Sequence, residues 1–236
     1  MNVDFWFDPI CPFCWATSRW INRVAPHRDL EINWLPISLL FKNDIQDSSD
    51  PFFVKASRSR DLLRVVEAVR AAGHGDRIGD LYTEFGRQIH HRGNLDFDLA
   101  AVLEHLGLDV GFVSALDEAS WDDAIRTAMA DGLALTGPDV GTPLIAFDRP
   151  LGRVGFFGPV ITEVPGDDEA VELWDGFLKM VDTPSFFELK RTRTHAPTLV
   201  DESVLDAQLS VMTSTHRDTA AGTTARRLQL RGQVTC

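Results

Sequence analysis

Two cysteines, Cys11 and Cys14, stand three residues apart in "FDPICPFCW", residues 7–15. Such a pair serves as half of a metal clamp, as a structural disulfide or as a redox centre. A structural zinc takes about four Cys or His ligands, and no second C-x-x-C or H-x-x-x-H accompanies this pair. The chain has only 3 cysteines, too few for a disulfide scaffold. Two inert buried thiols would not need a proline between them at the start of a helix. The redox reading is favoured over a zinc site and an inert buried pair, with Cys11 as nucleophile and Cys14 as the resolving thiol. A thiolate is the reactive species, and a helix N-terminus favours it on Cys11; thiols of such motifs can fall to a pKa of about 3.5 to 7.5. Cys14, one turn on, shares its helix face and can resolve a mixed disulfide. Pro12 suits a helix start, where its missing N–H is not needed, and Phe13 is expected to project beside the pair.

The rest of the composition narrows the partners. The 236 residues are 44% hydrophobic and 25% charged, ordinary globular proportions. With 23 Lys plus Arg against 35 Asp plus Glu, the formal charge is −12, which repels a phosphate backbone, so nucleic acid is not an expected partner. No run approaches the roughly 18 apolar residues of a membrane span. The start, "MNVDFWFDPI", lacks the basic region of a signal peptide, and a cytosolic protein is expected.

The cysteines need elements to position them. "NVDFWF", residues 2–7, is aromatic and reads as a buried strand ended by Asp8 and Pro9. Trp15, Ile21 and Val24 predict a helix of about four turns from Cys11, stopping near Pro26. A second strand fits "LEINWLPISL", residues 30–39, completing a right-handed βαβ unit. Residues 51–137 change character. "DLLRVVEAVRAAG" carries Leu62, Val65, Val66 and Val69 at helical spacing with Gly73 to cap it, and "IGDLYTEFGRQIH" repeats the pattern with Ile78, Leu81, Tyr82, Phe85 and Ile89. Further helices fit 96–106, 111–118 and 121–134. Apolar runs at 144–148 and 153–158 flank "DRPLG" as a β-hairpin, and Val171, Trp174, Phe177, Leu178 and Val181 mark a last amphipathic helix.

The order βαβ, helices, ββα predicts an α/β chain with a thioredoxin-like sheet split by a helical domain. Residues 1–50 and 138–197 form the thioredoxin-like domain, 51–137 a helical insertion, and 198–236 a tail with one helix near 202–212 and a mobile "HRDTAAGTTARR". "DVGTP", residues 139–143, falls where that fold holds a cis-proline opposite the C-x-x-C motif. Pro143 would then expose the Thr142 backbone for strand-like pairing with a bound thiol.

"DFWFDPICPFCW", "TSRWI", "GRQIH", "DVGTP", "FFGPV" and "FFELKRTRT", in this order, resemble the actinobacterial mycothiol-dependent nitroreductases of the DsbA-like thioredoxin superfamily, over roughly residues 2–197. The resemblance implies a cytosolic homodimer that takes electrons from mycothiol, needs no tightly bound cofactor or metal, and reduces nitroaromatic or disulfide electrophiles. It also implies that Asn43 and His90 line the substrate cleft. Asn43 would bind the sugar of mycothiol through its amide, and His90 would donate a proton; for each the alternative is a hydrogen bond within a helix or loop. Members carry Trp between the cysteines; Phe13 keeps the aromatic contact without an indole N–H. Lys190, Arg191 and Arg193 are a basic run suited to solvent or to an acidic face across a dimer. Cys236 lies beyond the resemblance. Two rival functions share the fold: a general protein disulfide oxidoreductase or isomerase, and a non-redox binding protein on a thioredoxin scaffold.

Overall fold

The computed structural model describes residues 1–150 and 152–209 of the chain. Met1–Val200 is one compact unit. Its sheet has four strands in the order β2-β1-β3-β4, with β1 spanning Asn2–Phe7, β2 Glu31–Pro36, β3 Leu144–Arg149 and β4 Gly152–Phe157. β1 pairs parallel with β2 and antiparallel with β3, and β3 pairs antiparallel with β4. β1 lies inside the sheet with both edges paired, helices cover both its faces, and "NVDFWF" buries Val3, Phe5, Trp6 and Phe7. The one acid among them, Asp4, turns to an edge and pairs with Arg153.

Alternation along β1 sorts its side chains onto two layers. Trp6 packs with Ile37, Leu144 and Ala146, against Met129, Leu133 and Leu135 of helix α6, Asp122–Thr136. The fit requires Gly132, since a Cβ there would lie 2.9 Å from the Trp6 ring, and the Trp6 indole N–H donates to the Ala128 carbonyl at 2.7 Å. On the other face, helix α1 (Pro12–Arg28) and helix α7 (Asp167–Val181) meet through Trp20 and Trp174, ring centroids 5.8 Å apart. Trp174 and Phe177 both reach Phe147 of β3.

Between β2 and β3 the chain forms a short helix α2 (Leu39–Lys42), then α3 (Phe53–Ala71), α4 (Ile78–Gly86), α5 (Leu99–His105) and α6, with 3-10 turns over Val110–Asp117. Arg64 of α3 clamps α6 by two bonds to Asp122, at 2.6 and 2.9 Å.

Some boundaries differ from the sequence expectation. α1 runs through Pro26 to Arg28, because the stop is set instead by Asp29, left-handed at φ 47°, whose N–H caps the Ala25 carbonyl. β2 is shorter than residues 30–39: Ser38 caps α2. α3 starts at Phe53, ahead of its apolar stretch. In the second unit, Asp201–Cys236, residues 202–209 are helical. The rest of the helix expected to 212, the segment expected to be mobile and Cys236 lie outside the described residues.

Candidate functional site

A strand that stops and a helix that starts within four residues put the cysteines at their junction. Cys11 is the N-cap of α1, with extended backbone (φ −76°, ψ 110°), and Pro12 opens the helix. The Cys11 sulfur accepts the Cys14 N–H at 3.4 Å, as an N-cap side chain accepts from the first turn. Both cysteines are free thiols. Cys11 is 9% exposed and Cys14 not at all. The Cys11 S–H donates toward the Thr142 carbonyl at 3.9 Å and the Cys14 S–H toward the Trp6 carbonyl at 3.8 Å. The Thr142–Pro143 bond is cis, so Thr142 and Pro143 face the pair.

At Cys11 burial outweighs the helix end. Burial pushes the thiol up, and the Thr142 contact and the N–H groups of Cys14 and Phe13 offset only part of this. Cys14 is pushed well above the ordinary thiol range, first by burial and then by the nearby Cys11 sulfur. The helix end helps the anion as expected; the closure of the site, invisible in the motif, opposes it more.

Asp8 holds this junction together. It is fully buried, and its carboxylate accepts the Ile10 N–H at 3.0 Å, the Leu39 N–H at 2.7 Å and the Ser59 hydroxyl. One side chain thus ties the loop entering Cys11 to α2 and α3. Burial raises its pKa to about 6 despite these three bonds.

His90 and His91 end a widened, π-type turn, Arg87–His91, that continues α4. His90 stacks on Trp15 at 5.6 Å, and its Nε2 is 2.8 Å from the Pro9 carbonyl, which can only accept, so Nε2 carries the proton. Burial lowers its pKa to about 4. The ring is neutral at pH 7 with its N–H committed, an arrangement that positions the Pro9–Cys11 loop and does not suit the proton-donor role expected for it. His91 Nε2 accepts the Trp15 indole N–H at 3.3 Å. Asn43 ends α2 with an exposed side chain, so the structure brings together Cys11, Pro12, Phe13, Cys14, Thr142, Pro143 and His90 and leaves Asn43 on the rim of α2. The Arg193 guanidinium lies 4.7 Å over the Phe13 ring, which gives one member of the basic run an aromatic partner within its own chain.

Sequence reasoning passed over Asp8, Tyr82 and Arg19. Asp8 stood inside the motif as an acid following an apolar strand. Arg19 is fully buried, 4.1 Å over the Trp15 ring, with a 2.9 Å bond to Thr83. Among the described residues no cluster of three or more His, Cys, Asp or Glu is placed to hold a metal, and no helix is long and apolar enough to cross a membrane.

Residues 10–191, which include this site, match the family model Rv2466c-like, described as mycothiol-dependent nitroreductase Rv2466c. The chain belongs to the Rv2466c-like family. It is accordingly an oxidoreductase. The uncharacterized protein Rv2286c of Mycobacterium tuberculosis (strain ATCC 25618 / H37Rv) is 30% identical over 200 residues, covering 83% of this chain and 84% of the relative. The fold of this Rv2466c-like chain is similar to that of the cytosolic disulfide reductase DsbM from Pseudomonas aeruginosa. The TM-score is 0.52 at 15% identity, over 76% of this chain and 100% of that one. A 2-hydroxychromene-2-carboxylate isomerase gives a TM-score of 0.53 at 17% identity, over 76% and 96%. At these identities the likeness concerns the fold, which is the thioredoxin-like, DsbA-like class.

Proposed function

We propose that the chain is a cytosolic, mycothiol-dependent reductase of nitroaromatic or disulfide electrophiles that works through a Cys11–Cys14 dithiol. The observation carrying this reading is Cys11 at the α1 N-terminus, its sulfur on the Cys14 N–H and facing the Thr142 carbonyl beside cis-Pro143, in a chain of a family described by that activity. With a nitro substrate, the dithiol gives up two electrons and two protons. The nitro group becomes a nitroso group, one oxygen leaves as water, and a Cys11–Cys14 disulfide forms. A mycothiol thiolate then attacks Cys11, releasing Cys14, and a second mycothiol attacks the mixed disulfide, leaving as mycothiol disulfide and restoring both thiols. No tightly bound cofactor is required.

In this reading Pro12, Phe13, Thr142 and Pro143 shape the floor on which the thiol docks, Asn43 meets the sugar from the rim, and His90 fixes the loop. Residues 51–137 act as the helical insertion covering the thioredoxin-like parts, 1–50 and 138–197, and the enzyme works as a homodimer. The test is to mix the oxidised protein separately with mycothiol, glutathione and a thioredoxin system, quench, and count alkylated thiols by mass. Rapid opening by mycothiol alone is expected. Preference for thioredoxin or glutathione would move the function to a general disulfide oxidoreductase, and the absence of any reducible bond would refute the redox cycle.

A further inference from the structure

α4 sends one side chain to the buried sulfur. Tyr82 is the chain's only tyrosine and is completely buried. Its ring stacks on Phe7 at 4.0 Å and meets Trp15 edge-on at 5.6 Å. Those contacts explain a ring, and a phenylalanine would make them equally. They do not explain the hydroxyl, which is shut off from solvent and makes no hydrogen bond of normal geometry among the described residues. The groups it interacts with are the Cys14 thiol, the Arg19 guanidinium and the Ser18 hydroxyl. A buried polar atom without a full partner in one state of a site calls for a role in another.

Cys14 supplies that state. As a thiol it is neutral and directed at the Trp6 carbonyl. When a thiol opens the Cys11–Cys14 bond, Cys14 leaves as a thiolate with no exposure to water, and both Cys11 and Asp8 oppose its charge. The groups facing it are Cys11 and Asp8 from the loop entering α1, Arg19 from α1 and Tyr82 from α4. Arg19, Tyr82 and the backbone N–H of Asp8 favour the anion, and of these Tyr82 is the one side-chain hydroxyl. The Arg19 guanidinium lies 5.9 Å from the Tyr82 ring centre.

We propose that Tyr82 is the hydrogen-bond donor that stabilises the Cys14 thiolate as leaving group and resolving nucleophile. The proposal deepens the dithiol cycle above and rests on it. In the opening step the attacking thiolate bonds to Cys11 Sγ, the Sγ–Sγ bond breaks, and its electron pair goes to Cys14 Sγ, toward which the Tyr82 O–H turns. Cys14 is later neutralised by a proton from solvent. In the reverse direction the Cys14 thiol gives its proton to solvent and attacks the mixed disulfide at Cys11, expelling the bound thiolate. Tyr82 contributes a hydrogen bond in both directions and keeps its proton.

A lone tyrosine makes the test selective, since feeding 3-fluorotyrosine labels this position and no other. Fluorine acidifies the phenol and strengthens it as a donor; Tyr82→Phe removes the donor and keeps the ring. Opening of the oxidised protein by dithiothreitol is followed by stopped flow across pH, and the ¹⁹F resonance is recorded in both redox states. The expected order of rates is fluorotyrosine above tyrosine above phenylalanine, with Tyr82→Phe about 10-fold slower at pH 7, as for loss of a hydrogen bond to a charged group. With Cys11 alkylated, the Cys14 ionisation should move to higher pH in Tyr82→Phe, and the ¹⁹F resonance should shift between oxidised and reduced protein. Equal opening rates and an unmoved ¹⁹F line would overturn the proposal while leaving the dithiol cycle intact. A wild-type bond that dithiothreitol does not open would overturn the cycle and the proposal with it. If Tyr82→Phe does not fold, the comparison of tyrosine with fluorotyrosine decides alone.

Discussion

Replacing Asp8 by Asn isolates one electrostatic quantity at the heart of the site. Asp8 titrates near pH 6 in the folded chain against an ordinary value of 3.8, with burial as the main cause. A carboxyl whose folded pKa is raised binds its proton more tightly when folded. Its contribution to stability is therefore full below pH 3.8 and is lost as pH rises through 6. From pH 5 to pH 7.5 the loss amounts to about 1.4 kcal/mol by linkage. His90, lowered to about 4 by burial, acts with the opposite sign: stability is lost as pH falls from its unfolded range toward 4. The two partly cancel, so the wild-type profile conceals both. Subtracting the stability of Asp8→Asn from that of wild type removes His90 and exposes Asp8. The Asn variant also turns an amide N–H₂ toward Ile10, Leu39 or Ser59, costing about 1–3 kcal/mol at every pH. Urea unfolding at pH 5 and 7.5 should show the variant deficit shrinking by about 1.4 kcal/mol as pH rises. Parallel profiles would refute a raised Asp8 pKa.

Further outcomes follow from other contacts. Cys14→Ser incubated with mycothiol disulfide should trap a mixed disulfide of mycothiol on Cys11, releasing one mycothiol and visible by intact mass, and Cys11→Ser should abolish turnover. Gly86→Ala would put a Cβ 2.1 Å from the Trp15 ring, so it should cost about 1–3 kcal/mol, read as a lower urea midpoint. The His90 imidazole should titrate by NMR near pH 4, and His90→Asn should leave the pH dependence of disulfide opening between 5.5 and 8 unchanged; an inflection lost in that window would mean that it does transfer protons. Arg64→Met leaves Asp122 without its clamp and should destabilise by about 3 kcal/mol, checked by thermal unfolding.

Much of the architecture was legible because its signals are local. The aromatic run of β1, the hairpin around "DRPLG" and the apolar stripe of α7 each carry their own period, and the cysteine spacing with Pro143 points to one junction. What escaped was set at long range. α3 begins ahead of its apolar stretch, and in its first two turns Ala56 and Ser59 are the residues that face inward. The ionisation of Cys11 follows from how tightly the loop is covered, which no motif encodes. Asp8 meets Ser59, and Tyr82 meets Cys14, across sequence distances that only the folded chain closes.

The segment after α7 has one more implication. Residues 184–198 run without regular structure, held by Thr198 N–H on the Thr162 carbonyl at 2.7 Å and by the Thr162–His195 bond, and bring Arg193 onto Phe13. The ribosome makes the dithiol roughly 180 residues before this cover. At about 5–20 residues per second the nascent sulfur pair waits roughly 10–40 s for its last neighbour. For most of that interval β1 lacks β3 beside it, and throughout it Phe13 lacks the Arg193 guanidinium. Newly made chains therefore present a more open thiol pair to cellular oxidants than finished ones do, and the order of synthesis becomes part of the redox history of the enzyme.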